Sequence, residues 1–285
     1  MRPIDEGDRE RRSGSFEYSS RSFVNGWEDR RVTYMNHDSY RQRIYNSYVH
    51  SRAEPLAPEA MAGLKPRAAY LRRLVARHFP QDHQASILEL GCGYGALLHF
   101  AREAGYTQVS GVDGSPQQVA AARRLGIAGV SEGDLFDTLA SLEDASCDCI
   151  VTFDVIEHFT REELIPLVDG VFRALKLGGR WIIHTVNGES PWGGRMRYGD
   201  VTHELAFTRT SLAQLLLSSG FSQVRSYEDA PIPHGLKSAV RLLLWQGVRA
   251  ALRFYLLVEA GESGQQAIFS ENFLTVAEKK RDEGS

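Results

Sequence analysis

The sequence predicts an α/β fold: a mainly parallel sheet covered by helices on both faces. Two observations carry this. Between residues 61 and 186, short apolar runs alternate with helix-like segments, and each run ends in a polar or glycine-containing turn. In 86-SILELGCGYGALLHF-100, three glycines separate an apolar run from a helix-like one. Strands joined through helices require right-handed crossovers, which make the sheet parallel, and ligands of such sheets sit at the carboxyl ends of the strands.

Taken in order, a helix is expected over 61 to 79. The apolar run at 86 to 91 forms the first strand, and the helix after the glycines spans 95 to 104. A strand at 108 to 112 and a helix at 116 to 125 complete the next unit. A short strand near 128 to 131 follows, then a strand at 148 to 153, a helix at 161 to 175 and a strand at 180 to 186. Beyond a polar loop from 187 to 209, Thr210 or Ser211 caps a helix ending at Gly220. A strand at 222 to 228, the turn PIPHG, a long apolar helix of 237 to 259 and a last strand at 267 to 277 finish the chain. No internal repeat or low-complexity block is visible.

Composition narrows the partners. The chain has 285 residues, 42% hydrophobic and 24% charged, with a net charge of −3. It has no basic excess to draw nucleic-acid phosphates, so a small-molecule partner is expected and nucleic acid is not. Cys92, Cys147 and Cys149 lack the paired spacing of a zinc site and read as buried thiols in a reducing compartment. The N-terminus mixes acids with arginines and has no apolar leader core, which points to the cytoplasm. Residues 1 to 15 read as a disordered tail. Residues 16 to 60, rich in aromatics and arginine, read as an arm or a lid, and 61 to 280 as the main domain.

In 89-ELGCGYGA-96, Gly91, Gly93 and Gly95 are spaced G-x-G-x-G, while Gly91, Gly93 and Ala96 also satisfy the dinucleotide pattern G-x-G-x-x-G/A. A nicotinamide-dependent oxidoreductase is therefore a rival reading. Glu89 argues against it, because a carboxylate two residues before the first glycine suits a cationic ammonium or sulfonium rather than a pyrophosphate. Asp113, with Gly114 after it, ends the second strand about twenty residues on, where a carboxylate can accept both ribose hydroxyls. Asp134 and Leu135 follow the third strand and suit an adenine amino group and ring face; a solvated turn acid is the plainer alternative. Cys92, inside the glycine turn, belongs to the same candidate set.

The order ELGCGYG, VDGS, GDLFD, CDCIVTFDVIEHF and LKLGGRWIIHTVN resembles the successive motifs of the class I S-adenosylmethionine-dependent methyltransferases, over about residues 60 to 225. The resemblance implies a Rossmann-like, doubly wound, seven-stranded sheet with an antiparallel last strand, here 267 to 277. It implies S-adenosylmethionine as cofactor. Glu89, Gly91, Gly93 and Gly95 would form the methionine-side loop, Asp113 would hold the ribose, Asp134 and Leu135 would frame the adenine, and Phe153 with Asp154 would line the pocket. The helix start 66-PRAAYL-71 resembles the P-x-R-x-x-Y start of the ubiquinone O-methyltransferase-like branch, one residue tighter. Arg67 would grip the methionine carboxylate, or be a surface arginine like Arg72, Arg73 and Arg77.

Methyl transfer needs an aligned acceptor and, for a hydroxyl, a base. In 153-FDVIEHF-159, Asp154, Glu157 and His158 share one turn. His158 is the candidate base; a structural use is the bland alternative, and a divalent ion on Asp154, Glu157 and His158 is a further one that the branch implies but that is not favoured. The string D-x-T-H-E-x-A-F-T, with Asp200, His203 and Glu204, resembles a subset of the family linked to sugars and other polar metabolites. His203 would face the acceptor or tie the loop to the sheet. His184 reads as a satisfied residue at a strand end. A scaffold that binds the cofactor without turnover is the rival of another class.

Within the insertion 234 to 261, Lys237, Arg241, Arg249 and Arg253 recur at multiples of four and leave a narrow basic stripe on a broad apolar cylinder. The favoured expectation is that the wide face packs against an acceptor lid or a second subunit in a homodimer. Peripheral contact with a membrane surface is the alternative.

Overall fold

The computed structural model describes residues 57–280, so the predicted tail and most of the predicted arm lie outside the described residues. The elements are α1 (Lys65–His78), β1 (Ile87–Leu90), α2 (Ala96–Glu103), β2 (Val109–Asp113), α3 (Pro116–Leu125), β3 (Val130–Glu132), α4 (Leu135–Ser141) and β4 (Cys147–Phe153). They continue with α5 (Arg161–Ala174), β5 (Leu175–Val186), α6 (Gly193–Gly199), α7 (Arg209–Ser218), β6 (Phe221–Glu228), α8 (Leu236–Ala260) and β7 (Asn272–Lys279). The sheet has seven strands in the order β3-β2-β1-β4-β5-β7-β6. Strands β1 to β5 pair in parallel, and β7 lies antiparallel between β5 and β6. This is the Rossmann-like sheet with the reversed last strand that the motif order implied. The chain reverses its winding between β1 and β4, which opens the crevice where ligands of such sheets bind.

The period of two along each strand sorts the core into two layers. Ile87, Cys149, Val151 and Ile182 face α1 and α2, while Leu88, Ile150, Trp181 and Ile183 face α5 and α7. The same alternation sets the polar residues at the carboxyl ends. Glu89 shares the face of Ile87, under α1, and His184 shares the face of Ile182. Thr185 shares the other face.

Helix ends follow local chemistry. Ser115 caps α3 with Pro116 in its first turn, and Thr160 forms a capping box with Glu163 at α5. At α7 the cap is Thr208, boxed with Ser211, rather than Thr210 or Ser211 itself. Two helices went unforeseen. The segment α4 (LFDTLAS) is only seven residues long, too short for a clear helical period, and α6 (GGRMRYG) starts and ends in glycine, a poor helix former. Strand β5 begins at Leu175, earlier than expected, because Leu175 already pairs with Cys147 across an irregular register. Strand β7 begins at Asn272, later than expected.

The lid that helix α8 was expected to pack against lies outside the described residues. None of the residues of α8 is fully buried: Leu242, Trp245, Leu252 and Leu256 are half-buried, while Leu243, Leu244, Phe254 and Val258 stay exposed. No helix among the described residues is long and apolar enough to cross a membrane.

Candidate active site

The glycine turn between β1 and α2 opens a cleft of about 220 Å³. Seven predicted residues line it: Arg67, Glu89, Gly91, Cys92, Gly93, Phe153 and Asp154. Leu71, Tyr94, Ala96, Leu97 and Gln118 line it too, and the sequence reading missed them. Tyr94 and Ala96 were within reach, because they belong to the quoted turn. Gln118 carried no local signal beyond its place in the first turn of α3.

The glycines do different jobs. Gly93 has φ +55°, and a Cβ there would stand 3.9 Å from the Gln118 side chain, so its bare backbone keeps the cleft open. Gly95 has φ +80°, and a Cβ would lie 2.7 Å from Val130 and 2.9 Å from Ile127. It serves packing and caps α2, and it is not among the lining residues.

Glu89 is the unusual group. It is 4% exposed, and its Oε2 has no hydrogen-bond partner among the described residues. Burial pushes its carboxyl well above the usual range; the Arg67 guanidinium lowers it and Asp113 raises it further. A buried, unpaired acceptor beside a cleft fits a ligand that brings N–H donors or positive charge. Arg67 stands over the Phe153 ring at 5.1 Å, which places a cation at the same end.

Asp113 accepts the Gly93 amide on one oxygen and the Ser115 amide on the other, each at 2.8 Å. Burial raises its carboxyl, and the two amides pull it back. The carboxylate thereby ties the glycine turn to β2 and keeps lone pairs for a ligand. Asp134 is the N-cap of α4, its Oδ1 accepting from the Phe136 and Asp137 amides at 2.7 and 3.1 Å. Leu135 begins that helix, and Gly114 is exposed after β2.

Beyond Phe153 the chain turns sharply. Asp154 has φ +56°, a strained value for a side-chain-bearing residue. Its amide donates to the His184 carbonyl at 3.0 Å, and its Oδ1 lies 2.5 Å from His184 Nδ1. His184, 3% exposed and stacked on Phe153, reaches Asp229 with Nε2 at 3.5 Å. Burial alone would lower this imidazole, but the two carboxylates outweigh it and raise it to about 10. It is thus a satisfied strand-end residue, as read from the sequence, in its charged form.

On the opposite face, Glu157 is buried and accepts the Thr185 hydroxyl at 2.9 Å. Burial, then the charge of Asp154, raises its carboxyl to about 8. His158 Nδ1 faces Thr202 Oγ1 at 2.9 Å, and that hydroxyl donates to Asp200 at 2.6 Å. The Thr202 carbonyl, 3.3 Å away, can only accept, so Nδ1 carries the proton and Nε2 the lone pair. Burial and the neighbouring His203 lower this imidazole to about 4. By the same logic His203 Nδ1 donates to the Met196 carbonyl at 2.8 Å. The two rings meet edge to face at 4.7 Å. Arg197 holds the carbonyls of His203 and Glu204, and the Glu204 amide donates to the Glu157 carbonyl at 2.8 Å, so the loop is both tied down and brought to the site.

The anticipated metal set needs correction. Asp154 is taken by His184, and the groups that converge are Glu157, His158 and His203, with ligand atoms within 4.8 Å of one another.

A family model described as "Methyltransferase domain" matches residues 64–226. The chain belongs to that family. The chain is 33% identical over 140 residues to a Mycolicibacterium smegmatis protein named "Probable S-adenosylmethionine-dependent methyltransferase", covering 47% of this chain and 51% of that one. It is 29% identical to cyclopropane mycolic acid synthase 3 of Mycobacterium tuberculosis, over 65% of this chain and 66% of that one. The chain therefore spans about half to two thirds of these relatives. Among solved structures, an S-adenosylmethionine-dependent methyltransferase from Archaeoglobus fulgidus superposes with a TM-score of 0.57 at 19% identity, covering 84% of this chain and 99% of the other. That likeness concerns the fold.

Proposed function

We propose that the cleft holds S-adenosylmethionine and that the chain transfers its methyl group to a hydroxyl of a polar small molecule, a sugar or glycan precursor. The buried, unpaired carboxylate of Glu89 is the observation that carries the cofactor reading. When bound, the sulfonium supplies an electrophilic methyl with a neutral thioether as leaving group. Glu89 and Arg67 offer opposite charges at one end of the cleft, suited to an ammonium and a carboxylate. Asp113 accepts ribose hydroxyls while remaining bonded to the Gly93 and Ser115 amides. Asp134 and Leu135 frame the adenine.

His203 takes the acceptor proton through Nε2. His158, neutral at pH 7 and a weak proton acceptor, orients the hydroxyl instead. Asp200 and Thr202 fix its tautomer, and no divalent ion is required. The acceptor class rests on the loop string D-x-T-H-E-x-A-F-T. Tritiated methyl transfer from S-adenosylmethionine, screened against nucleotide sugars, glycan fragments and phenolic metabolites, tests it. Label in a sugar hydroxyl is expected. Label in a phenol or amine alone moves the acceptor class, and tight NAD binding with none of S-adenosylhomocysteine overturns the reading.

A further inference from the structure

Helix α8 is the largest feature that the proposed reaction leaves unused. It joins β6 to β7 and starts just beyond Asp229, the residue that reaches His184. Its contact with the body combines half-buried Leu242, Trp245, Leu252 and Leu256 with polar groups. Arg249 Nε lies 2.7 Å from Glu228, and Arg253 faces the Gln265 carbonyl at 3.5 Å. Two cations that a surface helix ordinarily turns to water are here turned inward.

At about 100° per residue, the arc opposite Arg249 and Arg253 carries Leu236, Val240, Leu243, Leu244, Phe254 and Val258. Gly247, Ala250 and Ala251 fill its middle. No charged or polar side chain interrupts it. Leu243 is 71% exposed, Phe254 67% and Val258 69%. Lys237 and Arg241 run along one edge, and among the described residues neither meets an acid. The 25 residues give a straight face about 37 Å long.

We propose that α8 docks in the plane of an anionic lipid bilayer. Its apolar arc enters the boundary between headgroups and acyl chains, and Lys237 and Arg241 meet lipid phosphates. Charge decides between this occupant and a second copy of the chain. With Arg249 and Arg253 turned to the body, the outward edge keeps Lys237 and Arg241 one turn apart against a single acid, Glu259, so pairing two copies in parallel brings like charges together. An anionic surface complements the same charge. The unbroken apolar arc also lacks the polar residue that sets register in a helix pair.

The test is co-sedimentation of the full chain with phosphatidylcholine vesicles, with and without phosphatidylglycerol. Binding to the phosphatidylglycerol vesicles is expected, weakened at least about tenfold in the double variant Leu244→Glu, Phe254→Glu. High salt, or Lys237→Gln with Arg241→Gln, should weaken it severalfold. Circular dichroism and thermal midpoints keep misfolding apart from lost docking, and neither readout depends on methyl transfer. The proposal is overturned by absent vesicle binding, by vesicle binding that ignores both substitution pairs, or by a concentration-dependent dimer that Leu244→Glu abolishes without vesicle binding.

Discussion

Replacing Glu89 with Gln should move stability and binding in opposite directions. In the ligand-free protein this carboxyl is buried and one oxygen is unpaired, so its pKa is raised. An ordinary unfolded carboxyl titrates at about 4.3. Above that pH the folded protein binds more protons here than the unfolded chain, and stability falls as pH rises. Gln cannot ionise and resembles the protonated form. The variant should match the wild type near pH 4 to 5 and exceed it at pH 8 by about 1–2 kcal/mol, the scale of one poorly satisfied buried charge. That corresponds to a melting midpoint higher by roughly 2–8 °C for a domain of this size. Affinity for S-adenosylmethionine should fall by about 10- to 150-fold, the worth of one charge-assisted hydrogen bond of about 1.5–3 kcal/mol. Differential scanning fluorimetry at pH 5 and pH 8, with titration calorimetry, reads both quantities. A variant that binds within about threefold of wild type, with a lower midpoint at pH 8, refutes the reasoning.

Asp113→Ala strands the Gly93 and Ser115 amides as well as removing a ribose partner; calorimetry should show S-adenosylhomocysteine binding weakened by about 100-fold, from roughly 3 kcal/mol of lost bonds. His184 is raised to about 10 from an ordinary value near 6.5, so its contribution is complete below about pH 6.5 and is lost as pH rises through about 10. His184→Gln should therefore be less stable at pH 6, with the gap closing toward pH 10 in denaturant titrations. His203→Ala and His158→Ala should spare cofactor affinity and lower turnover, with the larger loss, about 100-fold or more, at His203. Unchanged turnover in both removes the proton-transfer assignment. EDTA should leave turnover unchanged, and a loss restored by a divalent ion would instead assign Glu157, His158 and His203 to a metal.

How much was legible follows the range of each interaction. The glycine turn, the strand ends at Asp113 and Phe153, and the alternation of apolar runs are local signals, and each appears where the sequence puts it. Contacts across the chain were not legible. Asp154 was read as lining the cofactor pocket, with an ion shared with its sequence neighbours as the less favoured alternative, but its partner His184 lies thirty positions on, and Asp229 completes the bridge from a third element. His158 depends on Thr202, forty-four positions away, for its tautomer. Asp134 also caps a seven-residue helix, a role that the reading of 131-SEGDLFD-137 did not foresee.

Helix α8 isolates the same limit most sharply. Periodicity found the basic stripe and the apolar cylinder, but a period says nothing about which side the body takes. The body takes the side that carries half-buried Leu242, Trp245, Leu252 and Leu256, and Glu228 at the end of β6 meets Arg249 there. Once one cation is anchored there, the helical repeat carries Arg253 to the same side and commits Leu243, Phe254 and Val258 to the outside. A half-buried stripe and one ion pair to β6 thus leave the rest of a helix that composition alone would bury as an outward-facing apolar surface.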